Sequence, residues 1–300
     1  MHLDFTRILA LVDFSDTSVH AAEEAALIAS KFDSELHLLH ISNSNSSHLI
    51  AQVFLFDVAG DEEKSYYDNV DKLEKIKTNL HKRYGVNIKC HVVFGEICQM
   101  INRYSDALNI NLVVLGAEKE NWFKELFFES KAKRIIRSVN SEVLCVYPES
   151  NSNRLKKIVL PIEKYIPKRK IRLAYELAKK FAANVHLISL DKNGNGLNKE
   201  NTKVLMASYQ YLKDITNIPI ECRTVLGNNL AQATVQYAEN IEADIILIDA
   251  GSESFFRGDV LRRWGGNIVN HSSIPVLSVQ AINDNSKRKQ YRRNLMWQKY

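Results

Sequence analysis

Arg7-Ile8-Leu9-Ala10-Leu11-Val12-Asp13 is answered 150 residues later by Lys157-Ile158-Val159-Leu160-Pro161-Ile162-Glu163. Each stretch is a short apolar run ending in a carboxylate, the pattern of a strand buried on both faces whose end reaches solvent. Further matches follow in the same order. Leu36-His37-Leu38-Leu39 returns as Val185-His186-Leu187-Ile188, and Cys90 with Gly95 returns as Cys222 with Gly227. Asn111-Leu112-Val113-Val114-Leu115-Gly116 returns as Asp244-Ile245-Ile246-Leu247-Ile248-Asp249, and Val143-Leu144-Cys145-Val146 as Val276-Leu277-Ser278-Val279. Landmarks in one order, once per half, describe a duplicated domain of roughly 150 residues and not a solenoid of short repeats.

Around those runs, strands alternate with helical periodicity. The first half reads as strand 7–12, helix 18–31 with Asp16 or Thr17 at its N-cap, strand 36–41, and helix 62–83 ended by Tyr84-Gly85. Strand 86–94, helix 97–107, strand 112–115, helix 130–139 and strand 143–147 complete it. The second half repeats the series as strand 158–162, helix 168–182, strand 185–190, helix 198–215 and strand 220–226. Helix 229–241, strand 245–248, helix 259–271 and strand 275–279 close the chain's second copy. This alternation predicts an α/β fold of two tandem doubly wound domains, each with a parallel sheet and helices on both faces. The expected boundaries are 1–148 for the first domain, 149–153 for a polar linker, 154–281 for the second domain and 282–300 for a basic tail.

Composition narrows the function classes. With 45% hydrophobic residues in 300, two cores are affordable. No stretch of 18 apolar residues is present, so no membrane span is expected, and the run Ile8–Val12 is too short for a signal peptide. Four cysteines without C-x-x-C spacing argue against a zinc or redox centre, and a reduced cytoplasmic setting is expected. Cys90 and Cys222 read as small buried core residues. The tail's Lys287, Arg288, Lys289, Arg292, Arg293 and Lys299 against Asp284 hold the whole net charge of +5, which leaves a neutral body. Nucleic acid is therefore not an expected partner; a tail docking on its own protein is preferred.

The first half carries about 17 extra residues after its second strand, with Leu49, Ile50, Val53, Phe54, Leu55, Phe56 and Val58 among them. So apolar an insertion should cover something. A short amphipathic helix beside the first domain's crevice is expected, the alternative being a surface on which a second chain docks.

Ile8, Leu9, Val12, Asp13, Phe14 and Ser15, with Gly95, the fourth-strand Leu-Val-Val-Leu-Gly and the closing Ile274-Pro275-Val276-Leu277, resemble the universal stress protein family. The resemblance covers nearly the whole chain, twice. It implies five strands in the order 3-2-1-4-5 per domain and pairing of domains through the edge fifth strand, here as an internal pseudo-dimer. Members of the family that bind ATP carry Gly-x2-Gly-x9-Gly-Ser/Thr after the fourth strand, where glycines let backbone amides approach phosphates beside a helix N-terminus. The first-strand Asp faces the adenine side of the crevice.

Both copies depart from that loop. In the first the motif positions are Gly116, Lys119, Glu129 and Ser130, flanked by Glu118 and Glu120, so carboxylates stand where phosphates would lie. In the second they are Asp249, Ser252, Arg262 and Arg263, and Glu163 replaces Asp13. Asp13, Ser15, Ile41, Gly116 and Ser130 are the candidate remnant of a cofactor crevice; Asp13 reads equally as a plain strand-end carboxylate, and Ser15 reads first as a helix cap. Arg257, Arg262 and Arg263 with Lys170 could build a substitute anion site, against the alternative of a solvated helix face. His37 and His40, three apart on a strand, point to opposite faces and read as structural, as does His186. No catalytic constellation and no metal site are expected. The reading is a non-catalytic regulatory protein without cofactor that acts through other proteins and forms at most a weak homodimer. The alternative is an ATP or AMP sensor, or a weak ATPase, in the first crevice.

Overall fold

The computed structural model describes residues 5–42, 59–117, 135, 138–148, 155–191, 199–250 and 274–280. The first half runs β1 (Arg7–Leu11), α1 (Asp16–Phe32), β2 (Glu35–Ser42), α2 (Ala59–Tyr84), β3 (Ile88–Phe94), α3 (Ile97–Leu108), β4 (Leu112–Gly116) and β5 (Glu142–Val146). The second runs β6 (Lys157–Pro161), α4 (Lys168–Phe181), β7 (Asn184–Asp191), α5 (Lys199–Lys213), β8 (Ile220–Leu226), α6 (Leu230–Asn240), β9 (Ile245–Asp249) and β10 (Val276–Val279). The expected insertion, most of helix 130–139, helix 259–271, the linker and the tail lie outside the described residues.

Period-two burial sets the layers. Ile8, Ala10 and Val12 enter one core, while Leu9 enters the core on the other face. The second half does the same, with Ile158, Leu160 and Ile162 on one side and Val159 on the other. The middle of helix α1's buried face is mostly alanine, with Ala21, Ala22, Ala25, Ala26 and Ala29 fully enclosed and Ile28 and Phe32 completing it. Its N-cap is Ser15, whose side chain accepts from the Ser18 amide, so neither Asp16 nor Thr17 caps it. The cap must hold an extended backbone, and Ser15 has φ −70° and ψ 154°.

All ten strands form one sheet in the order β3-β2-β1-β4-β5-β10-β9-β6-β7-β8. Each half therefore has the expected 3-2-1-4-5 order, parallel throughout. The halves meet where β5 and β10 pair antiparallel, Leu144 opposite Leu277. This is the internal pseudo-dimer, and it leaves neither fifth-strand edge exposed. Because the two parallel sets run in opposite directions, the carboxyl ends of β1 and β4 open at one end of the sheet and those of β6 and β9 at the other. A cavity of about 10 Å³, lined by Phe5, Leu112 and Leu144 from one half and Leu177, Phe181 and Leu277 from the other, lies at the junction. It is too small and too apolar to be a binding site.

The same polar clamp holds both halves at their opposite, amino ends. Asn111 Oδ1 accepts from the Thr6 and Arg7 amides at 2.9 Å each, and Asp244 Oδ2 accepts from the Lys156 and Lys157 amides at 2.7 and 2.8 Å. Cys90 and Cys222 are half-buried and not enclosed, because β3 and β8 are the sheet's outer strands.

Candidate functional site

In open α/β sheets ligands bind outside the carboxyl ends of strands flanking the point where strand order reverses, here β1 with β4 and β6 with β9. In the first half β1 ends into a tight turn. Asp13 Oδ1 accepts from the Ser15 amide at 3.0 Å and from Ser15 Oγ at 2.6 Å. Ser15 Oγ in turn accepts from the Ser18 amide, and Ser18 Oγ accepts from the Asp13 amide and donates to the Ser15 carbonyl. Burial pushes the Asp13 carboxyl up, but the Ser15 and Ser18 hydrogen bonds outweigh it and hold the group below its ordinary value. Asp13 is nevertheless exposed at the mouth of the crevice.

Between Asp13 and Ser15, Phe14 has φ 67°, a left-handed conformation that an aromatic residue seldom adopts. Its ring lies 4.4 Å from the His40 ring, with Lys72 Nζ 5.4 Å from its centroid. His40 donates from Nδ1 to the Val12 carbonyl at 2.8 Å, which fixes the end of β1 from the side of β2.

Gly116 ends β4, whose Val114 pairs with Ala10 of β1, and Asp13 follows β1, so the structure brings these two candidate residues to neighbouring strand ends. A Cβ at Gly116 would sit 2.9 Å from the backbone of Thr17. The glycine is thus required by the first turn of α1, with or without a phosphate. Ile41, on β2, packs into the core on the α3 face, away from His40. Ser15 is the helix cap. Ser130, Lys119 and Glu129 lie outside the described residues.

The second crevice is built differently. Asp249 takes the place of Gly116, and Lys170 lies in the first turn of α4, where α1 has Ala21. Lys170 is 2% exposed; its Nζ donates to Asp249 Oδ2 and to the Pro161 carbonyl, both at 2.7 Å. Burial pushes this ammonium down, against the pull of Asp249 and Glu163. Tyr165 completes the cluster, its hydroxyl pushed up by burial and by the Asp249 and Glu163 carboxylates. Lys170 is therefore neither a free anion ligand nor part of a solvated face; Arg257, Arg262 and Arg263 lie outside the described residues. Sequence reasoning read Asp249 only as a lost glycine. The missed signal was that a carboxylate gained there coincides with a lysine on the buried stripe of the facing helix.

The histidines take separate roles. His37 Nδ1 meets His91 Nε2 at 3.0 Å, and His186 Nδ1 meets the Tyr237 hydroxyl at 3.0 Å. Among the described residues no group of three or more His, Cys, Asp or Glu is placed to hold a metal ion. No helix among them is long and apolar enough to cross a membrane.

Residues 4–147 match the model of the universal stress protein family. That first half of the chain is a domain of the universal stress protein family. Among curated universal stress proteins, one from Methanocaldococcus jannaschii is 22% identical over 142 residues, 47% of this chain and 82% of its own length. Universal stress protein G of Shigella flexneri is 29% identical over 135 residues, 45% of this chain and 90% of its own. A solved universal stress protein from Archaeoglobus fulgidus follows both halves: TM-score 0.64 at 15% identity, over 95% of this chain and 99% of that one. A Pseudomonas aeruginosa structure does likewise at TM-score 0.55 and 16% identity, covering 93% of this chain and 94% of its own. At that identity the structural likeness speaks to the tandem fold.

Proposed function

We propose that this universal stress protein is a non-catalytic regulatory module of the cytoplasm, which acts in stress response by contacting other proteins and carries no cofactor. The observation that carries the reading is the Lys170–Asp249 pair. A buried ammonium and its carboxylate fill the point in the second half where a nucleotide phosphate would need open backbone amides. Supporting it, Gly116 is accounted for by its contact with Thr17, so its retention in the first half is no argument for a phosphate. Any homodimer must use surfaces other than the fifth strands, which are consumed within the chain.

Titration calorimetry of the full chain with ATP, ADP and AMP tests this. No saturable heat is expected. Saturable binding that Asp13→Ala abolishes overturns the reading and favours the second one, a nucleotide sensor in the first crevice. One observation favours that alternative: the exposed Asp13 stands beside the strained Phe14 turn.

A further inference from the structure

The junction between the halves looks two-fold symmetric in its backbone, but its charges are not. Glu142, first residue of β5, is 3% exposed. Its Oε1 accepts from Arg169 Nε at 2.8 Å and from Arg169 Nη2, and its Oε2 accepts from the Gln280 amide at 2.6 Å. Arg169 stands in the first turn of α4 and Gln280 directly follows β10, so one carboxylate of the first half clasps two elements of the second. The register around Leu144 and Leu277 gives the symmetry-related places. Glu142 corresponds to Pro275 at the start of β10, and Arg169 corresponds to His20 on α1.

The reciprocal clasp is therefore absent: Pro275 has no charge, and His20 lies 3.9 Å from Glu24 of its own helix. If two first halves paired through β5, each would bury Glu142 opposite His20, a shorter side chain without the guanidinium's fork of paired donors. If two second halves paired through β10, each would leave the part-buried Arg169 guanidinium beside a proline in place of its carboxylate. A buried charge left without its partner is strongly unfavourable, so only the mixed pairing satisfies both residues.

We propose that Glu142 and Arg169 are the specificity-determining pair of the fifth-strand surface, which accepts one half of each kind and rejects a second copy of either. The pair supplies selectivity, while the apolar β5–β10 ladder supplies the bulk of the contact. It is thus a device against like-with-like pairing of two chains through the edge that each half must keep covered.

The test uses the full chain with Glu142→Arg, Arg169→Glu and the double reversal. Hydrogen exchange is followed in the peptides containing Leu144 and Leu277, and mass distribution by light scattering. Each single reversal places like charges together, and protection in both strands should fall by roughly tenfold or more, with heavier species growing as concentration rises. The double reversal should restore the wild-type mass distribution and most of the protection, short of the Gln280 amide bond, which an arginine at 142 cannot accept. A double reversal as damaged as the two singles combined overturns the proposal, as do single reversals that keep wild-type protection. Rescue by the swapped pair cannot come from a merely structural loss of side-chain volume.

Discussion

Lys170 Nζ sits 2.7 Å from Asp249 Oδ2, the ammonium enclosed and the carboxylate a quarter exposed. This one contact joins the first turn of α4 to the end of β9 and closes the second half's switch point with the protein's own charges. Three basic residues, Lys168, Arg169 and Lys170, begin α4, where the helix dipole opposes positive charge. Asp249 and Glu142 offset two of them.

Lys170→Met leaves Asp249 without its cation and should lower stability by about 3 kcal/mol, the lower end for a broken buried pair because Asp249 retains some water. Lys170→Met combined with Asp249→Leu should recover most of that loss, since an apolar pair avoids the desolvation cost. Urea unfolding of the three proteins measures both effects. A single variant within a few tenths of wild type would show that the pair does not hold this end of the sheet.

Gly116→Ala should destabilise the protein by about 1–3 kcal/mol without any nucleotide present, because its methyl group would meet Thr17 backbone that cannot swing aside. Thermal unfolding of ligand-free protein checks this. An unchanged midpoint would return Gly116 to a role in ligand binding.

Acid should act in two stages. Burial holds the His37, His91 and His186 imidazoles below the ordinary value of 6.5, so the unfolded chain takes up protons first. Their contribution to stability is complete above about 6.5 and is lost as pH falls from there towards the lower folded values. Asp13 and Glu35, whose carboxyls are held below their ordinary values, add a second loss as pH falls through the carboxylate range. Urea midpoints measured against pH should show the first stage flatten in a His37→Asn, His186→Asn variant while the second persists. A curve unchanged by those substitutions rules out the histidines as its origin.

The repeat was legible because strand ends are written in short local runs: Ile8 to Val12 and Ile158 to Ile162 need no knowledge of the rest. The β5–β10 junction was legible too, since two apolar edges in one chain have each other as a cover. What escaped was chemistry between residues far apart in sequence. Lys170 is a lysine on an amphipathic helix, and periodicity assigns lysines to solvent; only the carboxylate of Asp249, 79 residues away, makes burial tolerable. Glu142 and Arg169 are equally ordinary charges until the two-fold geometry places them together. The cap at Ser15 was one of three readings, because Asp16 and Thr17 are equally good cap formers, and backbone angles chose among them.

The antiparallel β5–β10 ladder has a consequence for biosynthesis. Leu144 leaves the ribosome 133 residues before its partner Leu277. At roughly 5–20 residues per second that is a wait of roughly 7–27 seconds. For that interval a folded first half would present β5, buried along its whole length in the finished protein, as an open sheet edge. Nascent chains on one polysome would hold such edges near one another. The vulnerable moment for this protein is therefore translational, and slowing elongation through the second half should raise its demand for chaperones more than heating the finished chain does.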